Sequence, residues 1–388
     1  MSRPLRIAQI APLYESVPPK LYGGTEQMVA HLCEELVHRG HEVTLFASGD
    51  STAKARLRPG CTVSLRLSGL DRFGSAYHLP MLSEVFENAE CFDIIHSHVD
   101  YWSFPLQRLV TVPTVSTMHN RMDQPELACV YRAYRDLPLV AISDAQRLSL
   151  PKMNWVSTVL HGLPENLMHF NPRPANYLAF LGRFAPEKRP DLAIEIARQA
   201  GVPLKLAAKI DDADREYFEA VIKPLLSSPG VEYIGEISGL EKEKFLGEAL
   251  ALLFPIDWPE PFGLVMIEAL ACGTPVIARP CGSVSEVLRE GVSGYIASNV
   301  DDLVAAVRRL SDISRRSCRD EFERRFTAEQ MAANYETVYY DLIDKRRNLS
   351  VPKSRDNRIS IDAGDKGLDL EGGAPAPTIP ENLGISEV

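Results

Sequence analysis

Short apolar runs recur along the chain with helix-length segments between them, and this rhythm narrows the possible folds more than any other feature. In the first half the runs are Arg6–Ala11, Glu42–Phe46, Phe92–Ser97, Pro113–Met118 and Leu139–Ile142. A helix is predicted to open at Thr25, where Met28, Val29, Leu32, Leu36 and Val37 recur at helical spacing and Gly40 supplies a stop. The proline-broken stretch Asn171–Asn176 resets the pattern and reads as a linker. A second series follows: Tyr177–Leu181, Leu204–Ala207, Val231–Ile234, Ala251–Pro255 and Pro275–Ala278. Alternation of this kind calls for an α/β architecture with parallel sheets covered by helices, here in two halves. Asp301–Leu310 and a long helix around Ala328–Arg346 close the ordered part. From residue 349 to 388 the composition shifts to Pro, Gly, Asp, Ser and Lys, which predicts a disordered tail.

Composition removes several classes of function. With 45% hydrophobic and 24% charged residues over 388 positions, ordinary globular cores are expected. A formal net charge of -10 argues against a nucleic-acid partner. Seven scattered cysteines with no C-x-x-C pair suggest reduced thiols and a cytoplasmic protein. No stretch has the length of a membrane span, which leaves a peripheral membrane contact open.

In open parallel sheets ligands sit beyond the carboxyl ends of the strands, so the strand-to-helix loops carry the functional reading. Gly23 and Gly24, in Tyr22–Glu26, allow backbone amides to approach a phosphate at a helix start; a flexible turn capped by Thr25 explains them equally well. In His96–Asp100 the period-two spacing puts His96, His98 and Asp100 on one face. That invites a metal reading, but polar residues lining a cleft at a strand end fit better. His119, at the end of the next run, is suited to donate a hydrogen bond to a substrate, and taken alone reads first as a satisfied structural histidine. The loop Gly182–Pro190 places Arg183 and Lys188 immediately after a strand, a planar fork and a point charge suited to a diphosphate. Asp212-Ala213-Asp214 is a D-x-D string at a helix start and reads as an N-cap.

The stretch Pro255–Ala278 holds an anomaly. Glu268 stands in an apolar run with almost no solvated face, although glutamate is rarely buried without a partner. Glu260 lies before the predicted helix and Glu268 two turns into it; eight residues of helical rise amount to about 12 Å, so both acids can face one elongated ligand at different depths. Between them Phe262, Gly263 and Leu264 offer free amides at the helix's positive end. A salt-bridged structural role for Glu268 is the competing reading.

Taken together these loops resemble the retaining glycosyltransferases of family 4, which have the GT-B fold of two facing Rossmann-like domains. EPFGLVMIE matches the family's E-x7-E motif, followed by ALACGTPVIA and by GSVSEVLREGVSGYI, where relatives carry a Gly-x-x-Glu pattern. FLGRFAPEKRPDLAI looks like its Gly-Arg…Lys diphosphate loop, and GGTE, HSHVD, STMHN and VAISDAQR fall in the expected order. Two departures stand out: Ser283 where a second glycine is common, and Ala207-Ala208-Lys209 where a glycine usually ends the strand.

The resemblance implies an acceptor-side domain over 1–172, a donor domain over 173–326, and a helix over 327–348 returning to the first domain. It implies that Arg183 and Lys188 bind the diphosphate of a nucleotide-sugar, Glu268 the ribose, and Glu260 the transferred sugar. Phe262, Gly263 and Leu264 would contact sugar and phosphate, with Gly23 and Gly24 closing from the other domain. His119 would lie at the reaction centre, and Lys209 and Ile237 beside the donor. The implied reaction transfers a hexose, with UDP-glucose ahead of GDP-mannose, to an unidentified acceptor and needs neither cofactor nor metal. Two other classes compete: a non-catalytic nucleotide-sugar sensor on the same fold, and a metal-dependent hydrolase using His96, His98, Asp100 and His119.

Overall fold

The computed structural model describes residues 3–20 and 23–350, with the side chains of the last two left aside. Tyr22 and the tail beyond 350 lie outside the described residues; the last helix itself runs Ala328–Ser350, past the expected end at 348.

Thirteen strands among the described residues form two sheets. The first comprises β1 (Arg6–Ile10), β2 (Glu42–Ser48), β3 (Arg56–Cys61), β4 (Ile94–Ser97), β5 (Thr114–Met118), β6 (Leu139–Ala141) and β7 (Trp155–Thr158), in the order β3-β2-β1-β4-β5-β6-β7. The second comprises β8 (Leu178–Arg183), β9 (Leu204–Lys209), β10 (Val231–Gly235), β11 (Ala251–Phe254), β12 (Val276–Ala278) and β13 (Gly294–Ile296), in the order β10-β9-β8-β11-β12-β13. Every pairing is parallel. This is the two-domain α/β arrangement that the alternation of runs calls for.

Three strands escaped the sequence pattern, and all three lie at sheet edges. β3 reads RLRPGC and is largely exposed, β7 reads WVST and is half-buried, and β13 has only three residues. A strand covered on one side needs no continuous apolar run, and proline is tolerated at an edge. The inner strands β4, β5, β6, β11 and β12 are buried throughout; β6, β11 and β12 are wholly apolar, while β4 (IIHS) and β5 (TVSTM) also bury His96, Ser97, Ser116 and two threonines.

In each sheet the strand order reverses once, between β1 and β4 in the first and between β8 and β11 in the second. Loops leaving neighbouring strands at such a point run in opposite directions and open a crevice. Those loops carry the Gly23-Gly24 pair, His98, Arg183 with Lys188, and Glu260. The C-terminal helix belongs to the first sheet's core: Tyr335 and Tyr339 are buried in one cluster with Leu5 and Ile7. Glu336 anchors the helix through Arg39 and His41, each at 2.6 Å.

Candidate active site

The loop from Pro255 to Gly263 stays irregular because Pro255, Pro259 and Pro261 interrupt any hydrogen-bonded ladder. The helix begins only at Leu264, after Gly263, whose φ of 79° is the left-handed conformation that favours glycine. Glu260 therefore lies in the loop before the helix, as the sequence places it, and the helical rise used to space the two acids does not apply across that loop. Its position is set by contacts instead. The Glu260 carboxylate accepts from Lys188 Nζ at 2.5 Å and from Trp258 Nε1 at 2.9 Å. Lys188 Nζ also sits 4.5 Å over the Trp258 ring. Behind the loop, a Cβ on Gly282 would lie 2.2 Å from the Glu260 carbonyl oxygen, so only glycine lets the two loops close on each other.

Glu268 is on the helix Leu264–Ala271 and buried, as its neighbours demand. Its Oε1 accepts from Lys242 Nζ at 2.5 Å. The partner that the apolar setting requires is thus a lysine from the helix Gly239–Gly247, the alternative that the sequence reading had set second. Lys242 also faces the other domain: burial lowers the His31 imidazole to about 4, with added repulsion from Lys242.

Arg183 ends β8 and is held by three carboxylates. Its Nε lies 2.9 Å from Asp214, and its terminal nitrogens 2.5 Å from Glu187 and 3.5 Å from Asp211. Burial opposes the charge on Arg183, and Asp214 and Glu187 more than restore it. Asp211 also accepts from Lys209 at 2.8 Å. The D-x-D string is corrected here: no side chain caps the short helical turns at Asp212–Tyr217, because Asp214 is taken by Arg183 and Asp212 by Arg215. The loop of Arg183 and Lys188 is tied to that of Glu260 through the Asp257 amide, which donates to the Glu187 carbonyl at 2.8 Å.

The first domain meets these loops at two places. Gly23 caps the helix Gly24–His38, and a Cβ on Gly24 would be 3.4 Å from Leu264 Cδ1, so the glycine pair abuts the start of the Glu268 helix. Deeper in the crevice, His119 stacks on His161 with centroids 5.2 Å apart, and His161 meets Phe262 edge-on at 4.9 Å. Phe262 is buried at this junction. Ile237 is half-buried against the second sheet's core and touches none of these groups directly.

His96 and His98 are engaged by protein groups at both ring nitrogens. His96 contacts Tyr339 Oη and Thr117 Oγ1, each at 2.7 Å; His98 contacts His119 and Gln9, each at 2.9 Å. Asp100 turns away and accepts from Asn120 at 2.9 Å. Among the described residues no group of three or more His, Cys, Asp or Glu side chains is arranged to hold a metal ion.

Several contributors were not singled out from sequence. Trp258 had a usable signal, an aromatic two residues before an acid in a proline-rich loop. His161 and Lys242 had none, since each stands alone in its segment. Glu286, within GSVSEV, crosses the crevice and accepts from the amides of Asp144 and Ala145 at 2.7 and 2.6 Å.

Residues 169–327 match the family of glycosyl transferases group 1, and residues 23–172 match the glycosyl transferase 4-like domain. The N-acetyl-alpha-D-glucosaminyl L-malate synthase of Bacillus anthracis is 31% identical over 382 residues, spanning 84% of this chain and 96% of the relative. The chain belongs to the group 1 glycosyltransferases. As a glycosyltransferase it shares its fold with sucrose-phosphate synthase from Thermosynechococcus elongatus, with a TM-score of 0.71 at 20% identity over 88% of this chain and 100% of that one. Anabaena Alr3699/HepE in complex with UDP-glucose gives a TM-score of 0.67 at 16% identity over 87% and 100%. Two Rossmann-like domains facing a crevice, the GT-B fold, are what this chain shares with these two solved structures. No helix among the described residues is long and apolar enough to cross a membrane.

Proposed function

We propose that this glycosyltransferase moves a hexose, with retention at the anomeric carbon, from a nucleoside-diphosphate sugar to an acceptor hydroxyl. UDP-glucose is the first choice of donor, in keeping with the UDP-glucose bound by the Anabaena relative, and GDP-mannose the second. One observation carries the reading: the ion pair of Lys188 and Glu260 joins the loop after β8 to the loop that leads into the helix start at Gly263 and Leu264. A cation, an acid and the amides of a helix start thus stand together, a set of groups suited to the anomeric oxygen of a sugar diphosphate.

In this reading Arg183, Lys188 and the amides at the helix start take up the charge that develops on the diphosphate as the anomeric C–O bond breaks. The acceptor oxygen forms the new bond on the same face, and its proton passes to the departing phosphate oxygen. No enzymic base and no metal is required. Glu260 engages the transferred sugar in exchange for Lys188, Glu268 engages the ribose in exchange for Lys242, and Gly23 and Gly24 close over the phosphate. His119 stands at the sugar, with Lys209 and Ile237 at the outer donor pocket. The cytoplasm is the compartment in which such donors meet reduced thiols.

A thermal-shift screen over UDP- and GDP-sugars tests the donor, because a ligand that binds only the folded state raises the melting temperature. A clear shift with UDP-glucose and loss of that shift in Lys188→Ala is the expected outcome. Turnover that stops on addition of a chelator would refute the metal-independent mechanism.

A further inference from the structure

His119 is the inner end of a continuous buried file of polar groups that begins on the C-terminal helix. Tyr339 Oη is 2.9 Å from the Gln9 amide, Gln9 is 2.9 Å from His98 Nε2, and His98 Nδ1 is 2.9 Å from His119 Nε2. Tyr339 and Gln9 have no exposed surface and His98 almost none. We propose that Tyr339, through Gln9 and His98, is a positioning residue that holds His119 in the tautomer with hydrogen on Nε2 and an open lone pair on Nδ1. His119 then accepts a hydrogen bond from a sugar hydroxyl; this last step rests on the glycosyl-transfer reading.

The order of hydrogens follows from which groups have them to give. The Gln9 amide nitrogen donates to Tyr339 Oη, which leaves the carbonyl oxygen for His98. That oxygen has no hydrogen, so His98 Nε2 must donate. A neutral imidazole has one N–H, so His98 Nδ1 is an acceptor and His119 Nε2 must donate to it. Neutrality is secured by burial, which pushes His98 well below its ordinary value and His119 down to about 3. The single hydrogen of His119 is then used inside the protein. Its Nδ1 has no hydrogen-bond partner among the described residues.

Two further contacts keep the file from turning over. Tyr339 Oη is fixed from its other side by His96 Nδ1 at 2.7 Å, and His96 Nε2 is held by Thr117. The His119 ring is stacked on His161, within 14° of parallel, which resists a ring flip. The C-terminal helix thereby reaches the reaction centre without touching a substrate, and the expectation that His119 donates to the substrate is replaced by the opposite polarity.

The test is two-bond 15N–1H correlation NMR on the full chain labelled at histidine, at pH 7 without ligand, with His119 assigned by its loss in His119→Gln. The wild type should show His119 as a single tautomer protonated at Nε2. Gln9→Leu and Tyr339→Phe should show averaged nitrogen shifts, because His98 then no longer has a fixed acceptor. A wild-type His119 protonated at Nδ1, or a single unchanged tautomer in both variants, would overturn the proposal. UDP should raise the melting temperature of wild type and both variants alike. A wild type that neither UDP nor GDP stabilises would sink the nucleotide-sugar reading and the sugar hydroxyl with it, while the tautomer result stands separately.

Discussion

The two walls of the crevice solve the problem of buried polarity in opposite ways. On the second-domain wall the candidate site groups are ions already paired: Lys188 with Glu260, Lys242 with Glu268, and Arg183 with Asp214 and Glu187. On the first-domain wall they are neutral, with His96, His98 and His119 joined through Gln9, Thr117 and two tyrosines. Paired ions can exchange partners when a polar ligand arrives: a diphosphate replaces the carboxylate on a cation, and sugar hydroxyls donate to the carboxylate released. A neutral hydrogen-bonded file cannot exchange without leaving a buried group unpaired, so it holds geometry. The contrast assigns charge stabilisation to one wall and orientation to the other.

The largest test of this division is Lys188→Ala. Loss of a cation from the developing diphosphate charge should lower kcat by about a hundredfold or more. Glu260→Ala should cut turnover of one sugar far more than it weakens binding of free UDP. Equal loss of both would assign Glu260 to the nucleotide and break the comparison.

Glu268→Gln is the next test. Its neutral amide keeps the shape and loses the pairing, so affinity for UDP should fall about tenfold, the scale of one hydrogen bond to a charged group. Affinity for 2′,3′-dideoxy-UDP should stay unchanged, because the ribose hydroxyls are the proposed partner. Calorimetry with the two nucleotides decides it.

The neutral wall predicts a pH effect of definite sign. Burial lowers His31 to about 4 and His119 to about 3, and His96, His98 and His161 well below 6.5. Unfolded, all five take up protons near 6.5 that the folded state refuses. Stability is therefore unaffected above that value and is lost progressively as the pH falls below it. Glu26 acts in the other direction: burial raises it to about 7 from 4.5, so its contribution is lost as the pH rises through that window. Five groups outweigh one, and the melting temperature should drop between pH 7 and pH 5. His31→Gln should flatten that drop; an unchanged slope would show that these histidines are protonated in the folded state.

The smallest expected effect lies between the walls. Glu286→Ala removes the carboxylate that accepts from Asp144 and Ala145 and should cost about 1 kcal/mol, as loss of a helix cap does. Melting curves with the donor site otherwise intact measure it.

Much of this was legible in the order of residues. The inner strands follow from short runs rich in apolar and β-branched residues, and the loops at the two reversal points were marked by glycines, cations and acids that no strand or helix would place there. Local chemistry is enough for such features, because strand burial and turn formation depend on neighbours in the chain. Glu268 could also be recognised from sequence as an acid in need of a partner.

The identity of that partner could not, since Lys242 reaches it only once a separate helix packs alongside. The same holds for Asp214 on Arg183, for Lys188 on Glu260, for His161 under His119, and for the file from Tyr339 to His98. Each depends on side chains that are far apart in the chain and are brought within hydrogen-bond distance by the packing of the two sheets and the returning helix. Apolar rhythm is a property of a segment and survives in the sequence; the pairing of buried polar groups is a property of contacts and exists only in the folded molecule.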